Sequence, residues 1–135
     1  MKRYIVLVCT VVLCSVSLGI AKAETAVDMD LTAFNRGITY AQMIQVCNAP
    51  ESYDGKTFRV KGIFNYSESK GTARIIFSDS TGCCELAMMF IPAQPLEYPD
   101  DYPPLYSDIV ITAKLAVDSS NPEMPCRFAD AEIEW

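Results

Sequence analysis

Apolar and polar residues alternate along five stretches of the chain, and one short stretch follows the helical period instead. Thr57 to Phe64 sets Phe58 and Val60 on one face against Thr57, Arg59 and Lys61, until Gly62 interrupts the alternation. Thr72 to Asp79 opposes Ala73, Ile75 and Phe77 to Arg74, Ile76 and Ser78, and Cys83 to Ile91 opposes Cys84, Leu86, Met88 and Phe90 to Cys83, Glu85, Ala87 and Met89. Ser107 to Asp118 carries Ile109, Ile111, Ala113, Leu115 and Val117 on one face. Cys126 to Trp135 turns Ala131, Ile133 and Trp135 inward and leaves Glu132 and Glu134 to water. A period of two is that of a half-buried strand. Tyr40, Met43, Ile44 and Cys47 fall instead at i, i+3, i+4 and i+7, one face of a short helix with Thr39 as N-cap and Pro50 as its stop.

The connections carry turn chemistry. Tyr53-Asp54-Gly55-Lys56 and Asp79-Ser80-Thr81-Gly82 are turns by composition, and Asn65 to Gly71 and Ser119 to Pro125 are polar links. Between Pro92 and Pro104 lie Pro95, Pro99 and Pro103 as well, interleaved with Tyr98 and Tyr102. Proline fixes φ and removes a donor, so this segment is an extended loop. A glycine inside a strand marks a tight bend, the device by which a small barrel turns its corners. The order predicts a small all-β, five-stranded barrel over 39–135 with one short N-terminal helix; an SH3-like barrel or a β-sandwich is the alternative.

The run Gly55-Lys56-Thr57-Phe58-Arg59-Val60-Lys61-Gly62, with Ile76-Phe77-Ser78-Asp79-Ser80-Thr81-Gly82 leading into the third strand, resembles an OB-fold over roughly 39–135. With Tyr53 ahead of Gly55-Lys56 and the vicinal pair Cys83-Cys84, the domain is also similar to the C-terminal β domain of the YcgQ-type permease accessory proteins, a bacterial group. It departs from that group in lacking transmembrane helices ahead of the domain other than an apolar leader. From the common OB pattern it departs by placing the proline-rich loop where a helix joins strands three and four.

The leader is residues 1–23. Lys2 and Arg3 precede an uncharged stretch, Tyr4 to Ile20, and then Ala21-Lys22-Ala23, the small-x-small form a signal peptidase requires. Cleavage is expected before Glu24, which sends the domain to the periplasm or the exterior. The alternative is an anchor through 4–20, although that stretch as a helix reaches only ~25 Å of a ~30 Å bilayer core. Leu13 and Val8 precede Cys14 and Cys9 where a lipoprotein needs a small residue, which argues against lipid attachment. Glu24 to Ile38 is acidic and without sustained period, and reads as a spacer.

Charge and composition then narrow the function. The leader holds three of the 11 basic side chains and no acid, so 8 bases face 17 acids in the remainder, a net charge of −9. An acidic barrel with few basic groups does not suit nucleic acid or an anionic membrane surface. The absence of histidine removes imidazole-based triads and imidazole metal sites. No pair of carboxylates is held at a working distance by any motif, so no enzymatic activity is expected, and no cofactor.

Four cysteines remain after the leader: Cys47, Cys83, Cys84 and Cys126. In an exported domain they are disulfide candidates, with free buried thiols or a thiolate metal site at Cys83, Cys84 and Cys126 as alternatives. The OB resemblance implies that strands three and five run in parallel. One of Cys83 and Cys84 would then reach Cys126 and the other Cys47. Glu97, Asp100, Asp101 and Asp108 form an acidic cluster that reads as solvated loop ahead of a calcium site, and Asp130, Glu132 and Glu134 form a second. The loop tyrosines have two readings, a cap on one end of the barrel or a recognition surface. On the second reading Tyr98, Asp100, Asp101 and Tyr102 are the ligand contacts. The expectation is therefore an exported, non-enzymatic binding domain of the bacterial cell envelope, its partner an envelope protein or a small ligand, with a thiolate metal-handling protein as the alternative.

Overall fold

The computed structural model describes residues 24–135. The leader, its cleavage point, the alternative anchor over 4–20 and the cysteines at 9 and 14 lie outside the described residues. The elements are β1 (Met29–Asp30), α1 (Arg36–Asn48), a 3-10 turn (Pro50–Tyr53), β2 (Thr57–Ser67), β3 (Thr72–Ser78), β4 (Glu85–Pro92), β5 (Asp108–Val117) and β6 (Cys126–Glu134). No helix among the described residues is long and apolar enough to cross a membrane.

The strand order is β1-β2-β3-β4-β6-β5, and β2 also pairs with β5, which closes β2 to β6 into a five-stranded barrel. β4 and β6 are parallel; the other barrel pairs are antiparallel. This is the OB-like arrangement, and the five predicted strands are β2 to β6 within three residues at each end. In β2 to β5 the apolar faces turn to the core as their periods require, whereas β6 buries Cys126 and Phe128, the parity opposite to the expected Ala131, Ile133 and Trp135, ahead of its register shift. Phe58, Val60, Phe64, Ile75, Ile111 and Phe128 are fully buried, and Phe58 meets Phe128 edge to face at 5.9 Å.

β2 serves two partners. Residues 57–63 pair with β5 and residues 63–67 with β3, so the strand bends at Gly62 and Ile63. A Cβ at Gly62 would lie 2.6 Å from Ile75 Cγ1 and 2.8 Å from the carbonyl oxygen of Ile76, so the bend requires the hydrogen of glycine.

Three expectations are corrected. The acidic segment is no free spacer: β1 pairs in parallel with β2, Asp28 Oδ2 accepts from the Thr57 amide at 2.8 Å, and Leu31 is buried in the core. The helix starts earlier than Thr39, because Asn35 is the N-cap, its side chain accepting from the Ile38 amide at 3.0 Å. Thr39 is instead buried with Met43 and Val46, its hydroxyl donating to the Leu31 carbonyl at 3.4 Å. Trp135 does not point inward; it is 67 % exposed, one residue past the last pair, Val110 with Glu134. An extra residue in β6, near Asp130 at φ 52°, shifts the register so that Ala131 returns to the core.

The β5–β6 turn yields a pH prediction. The hydroxyl and amide of Ser120 donate to the Asp118 carboxylate, and Arg127 pairs with it at 3.3 Å; together they hold its pKa below the ordinary 3.8. A carboxyl depressed in the folded state contributes stability that is complete above its unfolded value, near 3.8, and is lost as pH falls through the lower folded value. Carbon-detected NMR titration should place the Asp118 midpoint below 3.8, and Asp118→Asn should flatten the fall in urea midpoint below about pH 4.

Candidate functional site

The loop after β4 packs against the barrel end formed by the close of β2 and β4. Tyr98 stacks on Tyr66 with centroids 3.9 Å apart and planes 2° apart. Tyr102 lies on Phe64 at 5.6 Å and meets Tyr66 at 5.5 Å, and Phe64 touches Phe90 at 6.3 Å. Burial, with Tyr66 and the Asp101 charge beside it, raises the Tyr102 hydroxyl above its usual pKa. Of the two predicted contact tyrosines, each thus places a ring face against the barrel. Asp101 turns its carboxylate to the Glu97 amide at 2.9 Å while its own amide donates to the Glu97 carbonyl. Asp100 and Asp101 are exposed. Among the described residues no three Cys, Asp or Glu side chains are gathered to hold a metal, so neither the loop acids nor Cys83, Cys84 and Cys126 form such a group.

None of the four described cysteines is bonded to another. Cys83 and Cys84 are exposed in the turn before β4, where the Asp79 carboxylate accepts from the Thr81 and Cys83 amides. Cys126 is buried at the start of β6. The parallel strands do not begin level. Phe90 is opposite Phe128, so Met88 stands beside Cys126, and Cys84 lies four residues back, about 13 Å along the strand. That corrects the pairing of Cys83 or Cys84 with Cys126. Cys47, in the last turn of α1, reaches Met88 instead, Sγ to Sδ 3.9 Å.

The second outcome of the bend at Gly62 is a cleft of about 340 Å³. Lys61, Gly62 and Ile63 of β2 and Ile76, Phe77 and Ser78 of β3 line one side, Asp108 opens β5, and Phe34, Asn35, Arg36 and Thr39 bring the start of α1 across it. Gly37 seats α1 close to the β3–β4 turn, its Cβ position 3.2 Å from Ser80 Cβ. The lining combines an apolar part, Ile63, Ile76 and Phe77, with two cations, Arg36 and Lys61, and one carboxylate, Asp108. The N-terminal end of α1 adds partial positive charge.

Sequence pattern marks none of these residues for binding, and by sequence Asp108 belongs with the loop acids. The interruption at Gly62 was the available signal; that α1 would lie over it was not. A smaller hollow of about 290 Å³ lies between Pro92–Gln94, Leu96 and Asp101 on one side and Ala131–Ile133 and Trp135 on the other, and takes in one predicted contact, Asp101.

No protein-family model matches the chain, and a search of curated proteins finds no match to it.

Proposed function

We propose that the chain is an exported, non-enzymatic binding domain of the bacterial cell envelope whose site is the cleft beside Gly62. The carrying observation is the joint lining of that cleft by Arg36 and Lys61 together with Ile63, Ile76 and Phe77. Two cations against one carboxylate favour an anionic group, and the apolar part favours a hydrocarbon or aromatic body. A volume near 340 Å³ is at the low end of the ~300–1,000 Å³ typical of ligand pockets, which suits a small molecule. Asp108 takes a donor on the ligand and so sets its direction. The loop tyrosines enter this reading as the packing that closes the far end of the barrel. Export is supported by Lys2-Arg3, the apolar stretch 4–20 and Ala21-Lys22-Ala23.

The test is a titration of the ¹⁵N-labelled chain with a panel of small aliphatic and aromatic carboxylates, followed by amide shifts. The expected result is a saturating set of shifts on residues 34–39, 61–63, 76–78 and 108, abolished by Lys61→Glu at unchanged melting temperature. Shifts confined to the 92–106 loop, or none that saturate across the panel, would refute the cleft as the site.

A further inference from the structure

Independently of the cleft, we infer that Cys47 and Cys126 form the disulfide of this chain, tying α1 to the barrel, while Cys83 and Cys84 stay reduced. The geometry rests on three sulfurs at one end of the core. Cys47 Sγ lies 3.9 Å from Met88 Sδ, and the register of β4 with β6 sets Met88 beside Cys126. The Cys126 thiol beside Cys47 lowers its pKa, while Cys47 and burial raise that of Cys126. Cys84, by contrast, lies about 13 Å along the strand direction from the position beside Cys126, beyond the reach of a bond to it that needs Cα atoms within ~7 Å.

The environments of the two thiols differ in the way a disulfide exchange needs. Cys47 is half-buried and its thiolate is favoured by the hydrogen bond from Cys126; Cys126 is buried, and the same bond with desolvation keeps it protonated. Of these two, Cys47 is therefore the thiol that a small disulfide in solution meets first. Its thiolate attacks one sulfur of that oxidant, the oxidant's S–S bond breaks and its other sulfur leaves as a thiolate, and the attacked sulfur stays bound to Cys47 as a mixed disulfide. Cys126 gives up its proton, attacks Cys47 Sγ and expels the second thiolate. Two protein thiols lose two protons and two electrons, and the oxidant disulfide is reduced to two thiols.

Trypsin distinguishes the possibilities, since Cys47 falls in peptide 37–56, Cys83 and Cys84 in 75–114, and Cys126 in 115–127. The purified chain is equilibrated with oxidised and reduced glutathione, alkylated, digested without reductant and mapped by mass. The expected map joins 37–56 to 115–127 and carries two alkyl groups on 75–114. Joining of 75–114 to either other peptide, or alkylation of all four cysteines, overturns the assignment. In parallel, dithiothreitol should lower the melting temperature of the native chain and leave that of Cys47→Ser unmoved; an equal fall in both overturns it too.

Discussion

Phe64→Ala lowers the unfolding free energy by about 3–5 kcal/mol, the range for truncating a fully buried phenylalanine. Phe64 has no exposed surface, touches Phe90 at 6.3 Å within the core, and presents its other side to Tyr102 at 5.6 Å. The substitution therefore removes core packing and the platform on which the proline-rich loop sits. For a domain whose total stability is of order 5–15 kcal/mol, the variant is close to the limit of folding. Equilibrium unfolding in urea measures the loss, and limited proteolysis should show the 92–106 loop cut earlier in the variant at concentrations where the native chain is intact. A change below about 1 kcal/mol would mean that the ring is not part of the core.

Gly62→Ala destabilises by about 1–3 kcal/mol, towards the upper end because one of the two clashes is with backbone. The new methyl would meet Ile75 Cγ1 at 2.6 Å, which a side chain can yield, and the Ile76 carbonyl oxygen at 2.8 Å, which it cannot without moving β3. Pairing it with Ile75→Ala separates the two parts. The double variant should lose less than the sum of the single losses, by the side-chain share of the clash, yet remain less stable than Ile75→Ala alone. Because Gly62, Ile63 and Ile76 also line the cleft, any carboxylate bound there should bind more weakly to Gly62→Ala even at temperatures where the variant is folded. Equal stability of Gly62→Ala and the native chain would show that the bend does not depend on glycine.

Four of the barrel strands were legible because each alternates on its own, so burial of one face follows from local order without knowledge of the partner strand; in β6 the extra residue near Asp130 changes which parity is buried. Gly62 was legible as a break for the same reason: nothing else in Thr57–Ser67 disturbs the period. Asn35 and the strand Met29–Asp30 were not. A two-residue strand has no period, and its evidence is the pair of hydrogen bonds to Thr57 and Arg59, residues far along the chain. The tyrosines of the loop were visible as a group, but the rings they stack on, Phe64 and Tyr66, belong to another element.

The sequence by itself determined the barrel, its acidic charge, the absence of imidazole chemistry and an inward-facing Cys47, since these depend on residue type and local period. The tertiary structure decided which residue the Cys47 sulfur reaches and where the surface opens into a cleft. Parallel strands joined by a long connection carry no register signal in their sequences, so the opposition of Phe90 and Phe128, which puts Met88 rather than Cys84 beside Cys126, appears only when the barrel closes. The cleft likewise needs the start of α1 laid across the bend of β2, a meeting of segments 22 or more residues apart that neither segment encodes alone.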